Sequence, residues 1–206
     1  MRAPLLALLL LSWLSPLCQA YDTVINAGPY VSYFSRAYKQ PVFVAYTLHR
    51  GGGDCSRSGL KFKTGGLKGS ATASDYARSG YDQGHLVPFE DFAYDCDLSA
   101  RTFMFYNAIP QAPGLNRGSW SRWEDSVRRV SLRDTLVILA GGSGYKRKIG
   151  QGLYVPDYCW KVVYSRRSKV VLYALLFKNE DDAQPVLVTV KSLERKLGYG
   201  VRGLLK

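Results

Sequence analysis

"LNRGSWSRWEDSVRR", from Leu115 to Arg129, sets two tryptophans among arginines, two acids and one asparagine. Asn116 is a good capping residue, so a helix is expected from near Asn116 to about Val130. Trp120, Trp123, Val127 and Val130 recur at helical spacing and give that helix one apolar stripe. Glu124 and Arg128 lie four apart and share a face that borders the stripe. An amide at the helix start and a carboxylate two turns on can bracket a metal ion or a water cluster. The same residues also suit an ordinary amphipathic helix with a capping Asn and a surface ion pair.

Outward from this helix, the chain alternates strand-like and loop-like stretches. "PVFVAYTL" (41–48) is β-branched and aromatic, bounded by Pro41 and the Gly51–Gly53 run, and reads as a strand. "RTFMFYN" (101–107) and "TLVILAG" (135–141) read as further strands. "YCWKVVYS" (158–165) and "KVVLYALLFKN" (169–179) form a hairpin around "RRS". "GYKRKIG" (144–150) reads as a basic, hairpin-like loop, and "TVKSLERKLGYG" as a helix ending at glycine. The expected class is α+β: a mainly antiparallel sheet flanked by helices.

A length of 206 residues suits one domain with a real core. The first twenty residues, "MRAPLLALLLLSWLSPLCQA", read as a secretory signal peptide cleaved after Ala20, leaving 21–206 as the functional domain. Its apolar run is short for a membrane span, and no later segment is long and apolar enough. The expected location is therefore secreted or periplasmic, where disulfides persist. Of Cys55, Cys96 and Cys159, the first two lie in polar loops and are expected to pair. Cys159 sits in a strand and reads as a buried thiol. The formal net charge of +12 favours polyanionic partners, although it also serves solubility.

Three blocks then fall in order: "YDQGHL", "FMFYNAIPQ" and "LNRGSWSRWEDSVRR". Together they resemble the DNA/RNA non-specific endonucleases, the ββα-metal nucleases that include endonuclease G. The family pattern is Asp-Arg-Gly-His, then Asn-x-x-Pro-Gln, then Leu-Asn-x-Gly-x-Trp followed by Glu. These match Asp82–His85, Asn107–Gln111, and Leu115–Trp120 with Glu124. The resemblance covers roughly residues 41–200 and implies a ββα-metal motif.

It also implies roles. His85 is the expected general base that takes a proton from water, a task its near-neutral intrinsic pKa suits. Asn116 is the expected single protein ligand of Mg²⁺, with Mn²⁺ able to substitute, since Mg²⁺ keeps most of its waters. Glu124 is expected to hold water of the ion's shell. Arg128 is expected to contact phosphate as a fixed donor fork, and Arg57 to clamp it from upstream. Asn107 is expected as a supporting amide near the metal. The implied activity is hydrolysis of DNA and RNA through backbone contacts, leaving 5′-phosphate ends. The oligomeric state is not legible.

Gln83 departs from the pattern, which has Arg there. If that Arg balances the Glu124 charge, Gln83 is expected to replace it by hydrogen-bonding the carboxylate. The departure also keeps a second reading open, a catalytically silent nucleic-acid-binding protein on the same fold. Asp82 is expected to fix the turn before Gly84. Glu90 and Asp91 read as surface residues of a short helix, His49 as structural or exposed, and Trp120 and Trp123 as core.

Overall fold

The computed structural model describes residues 20–205; the signal peptide expected at residues 1–20 lies almost wholly outside them. The main sheet has seven strands: β1 (Thr23–Asn26), β2 (Tyr30–Ser35), β3 (Gln40–His49), β6 (Thr135–Ile149), β7 (Leu153–Ser165), β8 (Val170–Lys178) and β9 (Val186–Leu187). They stand in the order β1-β2-β3-β6-β7-β8-β9, and every neighbouring pair is antiparallel. A separate ribbon pairs β4 (Asp82–His85) with β5 (Ala108–Gln111). Four helices complete the chain: α1 (Ala73–Tyr76), α2 (Cys96–Ala100), α3 (Ser121–Ser131) and α4 (Val190–Leu197). This is the expected α+β class.

The central strands are covered on both faces, which explains their near-continuous apolar runs. On one face Val44, Leu48, Ile138, Cys159 and Val163 pack under Leu86, Ile109, Leu115, Trp120 and Val127. On the other, Phe43, Leu139, Trp160 and Val162 pack under Leu193 of α4 and the C-terminal Val201 and Leu205. Each fully buried side chain of this size stabilises by about 1.5–3 kcal/mol. The ribbon and α3 thus share one face, and α4 occupies the other. Thr189 caps α4 by accepting from Ser192 N, and Gly198 ends it at φ 77°, a left-handed value that favours glycine.

Several expectations change. Residues 101–107 do not form a strand: they make one bridge, Lys63 to Met104, and a 3₁₀ turn at Phe105–Asn107. The basic segment 144–150 is not a loop: Tyr145–Ile149 extend β6 against β7, and the turn falls beyond. Residues 115–120 form a π-type turn with Gly118 outside helical geometry, so the regular helix starts at Ser121 and Asn116 does not cap it. Asp91 is not a surface residue; it is 2% exposed.

Cys55 and Cys96 form the expected disulfide, and Cys159 is free and buried. Burial pushes the Cys159 thiol up to about 12, so it is inert at neutral pH. The bridge closes a sequence separation of 41 residues. By chain entropy such a closure is worth about 4 kcal/mol. Cys55→Ser is therefore expected to lose roughly 2–4 kcal/mol in urea unfolding, and an unchanged midpoint would refute the bridge's structural role.

Candidate active site

The ribbon is possible because Gly84 has no side chain. A Cβ there would lie 2.0 Å from Gln111 Oε1. The pairing sets Asp82 opposite Gln111 and His85 opposite Ala108, which points the end of β4 at the start of α3. Between the two lies a cleft of about 400 Å³. Arg57, His85, Asn116, Glu124 and Arg128 all line it, together with Glu90. Five of the six sequence-predicted site residues therefore meet in one place.

Asn107 is the exception. It is fully buried and does not line the cleft. Its Oδ1 accepts from Val87 N, and its Nδ2 donates to Val87 O and Thr102 O, each at 2.9 Å. The amide is fully committed to backbone two residues beyond His85. It braces the segment that carries the histidine, and the expected position beside a metal is corrected.

His85 packs between Phe62 and Phe103, with ring centroids 4.5 and 4.7 Å away. Its Nε2 is buried without a partner. Burial first, and the Arg57 cation second, lower its pKa to about 3. The ring is accordingly neutral at physiological pH, and it holds a proton more weakly than the near-neutral imidazole expected from the sequence. Arg57 sits over the Phe103 ring at 5.7 Å and pairs with Glu90 at 3.2 Å.

Asn116 is held by Asp82, whose Oδ2 accepts from Asn116 Nδ2 at 2.9 Å. Arg117 grips the same carboxylate with two bonds, at 2.8 and 2.6 Å. Burial would raise the Asp82 carboxyl, but the bonds from Arg117 and Asn116 outweigh it and hold the pKa below its usual value. A carboxylate can only accept, so the amide nitrogen must face Asp82 and the amide oxygen is left unclaimed. Asp82 thus does more than shape a turn.

Glu124 is partly buried, and this burial raises its pKa to about 7 despite its partner Lys161, whose Nζ lies 3.3 Å from Oε1. Lys161 is 1% exposed and stacks its ammonium on Trp120 at 4.4 Å. Gln83 makes no bond to Glu124; it lines a different depression beside Tyr76 and Tyr81. The expected Gln83–Glu124 contact is replaced by the lysine. Arg128 donates from Nε to the buried Asp91 at 3.0 Å and from Nη1 to Asp125 at 2.7 Å. Tyr46 Oη donates to the other oxygen of Asp91 at 2.9 Å. His49 is remote, at the exposed end of β3 beside Thr135.

Among the described residues no three His, Cys, Asp or Glu side chains converge as a metal cage. The oxygen donors lining the cleft are the free Asn116 amide oxygen and the carboxylates of Glu124, Glu90 and Asp125, the last two paired with Arg57 and Arg128. That set fits a hydrated hard cation that takes few protein ligands. Sequence reasoning missed Arg117 and Lys161. Arg117 stood inside the quoted helix stretch with no recognisable partner. Lys161 carried a signal: a lone charge inside the apolar run "CWKVVY".

A family model described as DNA/RNA non-specific endonuclease matches residues 17–203. A nuclease from Nostoc sp. is 40% identical over 94 residues, covering 45% of this chain and 34% of its own. The mitochondrial nuclease 1 of Schizosaccharomyces pombe is 28% identical over 176 residues, covering 71% of this chain and 52% of its own. The chain thus spans about a third to a half of these relatives' length. A solved structure of an EndoG/EndoGI complex matches in fold, with a TM-score of 0.81 at 23% identity, covering 91% of this chain and 89% of that one.

Two predictions follow from the buried polar groups. Lys161→Met strands Glu124 and is expected to cost about 3–5 kcal/mol, with Glu124→Gln in the same chain recovering much of it. A Lys161→Met protein as stable as its parent would show that the pair constrains nothing. Asn107→Ala is expected to cost roughly 2–4 kcal/mol by calorimetry, because three buried backbone groups lose their partner.

Proposed function

The chain belongs to the DNA/RNA non-specific endonuclease family, and from that premise we propose that it hydrolyses phosphodiester bonds within DNA and RNA at the His85–Glu124 cleft. One observation carries the reading: the His85 imidazole shares a cleft with an unclaimed amide oxygen, the Glu124 carboxylate and three arginines.

In this reading, His85 accepts a proton from water as the water oxygen attacks phosphorus. The P–O3′ bond breaks, the 3′ oxygen leaves, and a 5′-phosphate remains. The aromatic walls keep the ring neutral before attack, and an approaching phosphate anion favours the protonated ring. Mg²⁺, or Mn²⁺ in its place, would offset the charge growing on the phosphate and the leaving oxygen when held at Asn116. Asp82 fixes the Asn116 amide so that its oxygen serves this role without reorganising. Glu124, anchored by Lys161, orients water on the far side of the cleft. Arg57 is half exposed and free to swing from Glu90 to phosphate, whereas Arg128 is fixed by two carboxylates. Substrate contacts made through phosphate carry no sequence information, which suits a non-specific enzyme.

We further propose a secreted or periplasmic setting, supported by the leucine-rich start of the chain and by the Cys55–Cys96 bridge. Among the described residues no helix is long and apolar enough to cross a membrane.

The test is digestion of plasmid and RNA by the chain from Tyr21, with Mg²⁺ and with chelator. His85→Ala and Asn116→Ala are each expected to lower the rate by about 10²–10⁴-fold while the fold persists. Undiminished digestion by His85→Ala would overturn the mechanism. Retained DNA binding without any cleavage by the parent chain would favour the silent-binder reading that Gln83 keeps open.

A further inference from the structure

The arginines of the cleft are already spoken for. Arg57 pairs with Glu90, Arg117 with Asp82, and Arg128 with Asp91 and Asp125. A polyanion entering the cleft meets a nearly balanced set of charges. Yet the chain carries a formal +12, so the surplus must lie elsewhere.

Part of it lies on the outer side of α3. Successive residues rotate about 100° around a helix. The cleft residues Ser121, Glu124, Asp125 and Arg128 fall on one face, and Val127 and Ser131 on the buried face. Arg122, Ser126 and Arg129 fall on a third face, and Arg133 stands in the turn just past the helix. Arg122, Arg129 and Arg133 are all exposed. The β7–β8 turn adds the exposed Arg166 and Arg167. Arg129, Arg133 and Arg167 line one open depression of about 680 Å³, floored by Val130 and Leu172.

None of these five arginines forms a salt bridge among the described residues. Arg129 donates only to the Ser126 hydroxyl, and Arg167 Nη1 to the Arg133 carbonyl. The one acid in the depression, Asp134, is committed elsewhere. Its oxygens accept from the Ser165 hydroxyl and from Arg167 N at 3.2 Å. The Ser165 bond first, with smaller help from backbone, keeps its carboxyl below the usual pKa. Its charge is felt by Arg167, but among the described residues no arginine fork forms a salt bridge with it.

We propose that this arginine face of α3, with the β7–β8 turn, is a second phosphate-backbone site that holds the nucleic-acid chain beyond the cleft. The inference rests on the nuclease reading and adds a place where affinity, as distinct from chemistry, resides. The geometry suits an extended polyanion. From Arg122 to Arg129 the helix rises on the order of 10 Å, about three nucleotide steps of a strand at roughly 3.4 Å each, and Arg133 follows in the turn just past its end. The same helix carries Glu124 and Arg128 on the adjoining face, so one rigid rod links the two sites. Unpaired guanidinium forks recognise phosphate oxygens in bidentate fashion, and the shallow apolar floor excludes little water, as backbone contact requires no base pocket.

The test compares two variants of equal charge. Arg129→Gln with Arg133→Gln removes two cations from the patch. Lys191→Gln with Arg195→Gln removes two exposed cations from α4, on the opposite face of the sheet. Binding of a duplex of about thirty base pairs is measured in chelator over a salt series. The patch variant is expected to bind on the order of ten-fold more weakly, with the slope of log Kd against log salt reduced by about 2. The α4 variant is expected to stay within about two-fold. Cleavage of a short dinucleotide probe with Mg²⁺, which cannot reach past the cleft, is expected to be equal in all three proteins. Equal duplex binding by both variants would overturn the proposal, as would heparin binding that falls in the patch variant while duplex binding does not. If the parent binds the duplex with the expected patch dependence but cleaves nothing, the nuclease reading fails and the second site stands.

Discussion

Lys161 stands on a central strand with its ammonium 3.3 Å from Glu124 and its other side against the Trp120 ring. The lysine is cut off from water, being 1% exposed, while Glu124 keeps a small exposed edge in the cleft. A buried ion pair of this kind returns little net stability, because desolvating two charges offsets most of their attraction. Its consequence is positional. Only one rotation of α3 lets Glu124 reach the lysine while Trp120 and Val127 remain buried beneath the helix. That rotation also sets Arg128 over Asp91. The charged pair therefore indexes the helix on the sheet, and the apolar stripe supplies the adhesion.

The ribbon is fixed to this indexed helix from its other end. Asp82 holds Asn116 and Arg117, so the first residue of β4 is tied to the turn that precedes α3. Gly84 admits Gln111 into the space a side chain would fill. Asn107 then locks the chain just past His85 by two bonds to Val87 and ties it to Thr102 O by a third. The histidine, the amide and the carboxylate come from three separate elements. The histidine is set by the buried bracing of the backbone beyond it, and the amide and the carboxylate by partly buried polar contacts, where a lost partner costs more than at the surface. This is how a site with few groups in direct contact with one another can still have fixed geometry.

The parts legible in the sequence were those with a period or a motif. Strands β3, β7 and β8 announced themselves by apolar, β-branched runs, and α3 by its tryptophan stripe. The ribbon did not, because Asp82–His85 and Ala108–Gln111 are four residues each and carry no alternation. Their pairing rests on contacts more than twenty residues apart, invisible to a local window. Residues 101–107 misled for the opposite reason. "RTFMFYN" has strand composition, but its aromatics serve to wall His85 and pack beside Phe62. The basic stretch 144–150 looked like a tip because of its charge. It continues a strand whose outer end projects past the core, where charged side chains remain solvated. Asn107 was drawn to the metal by motif alone, and burial assigns it to the backbone instead.

Gln83 can now be argued on charge. The concern was that losing an arginine at this position leaves Glu124 without a counter-charge. In this chain the counter-charge comes from β7, not from β4: Lys161 holds the carboxylate, and Gln83 looks away toward Tyr76 and Tyr81. The cation nearest to Asp82, the residue before Gln83, is Arg117, bound through both of its forked donors. Asn116 shares the same carboxylate oxygen, so both groups that Asp82 holds are met without any charge at residue 83. The departure from the family pattern is thus compatible with an intact site, because the two charges it seemed to unbalance are each met from another element.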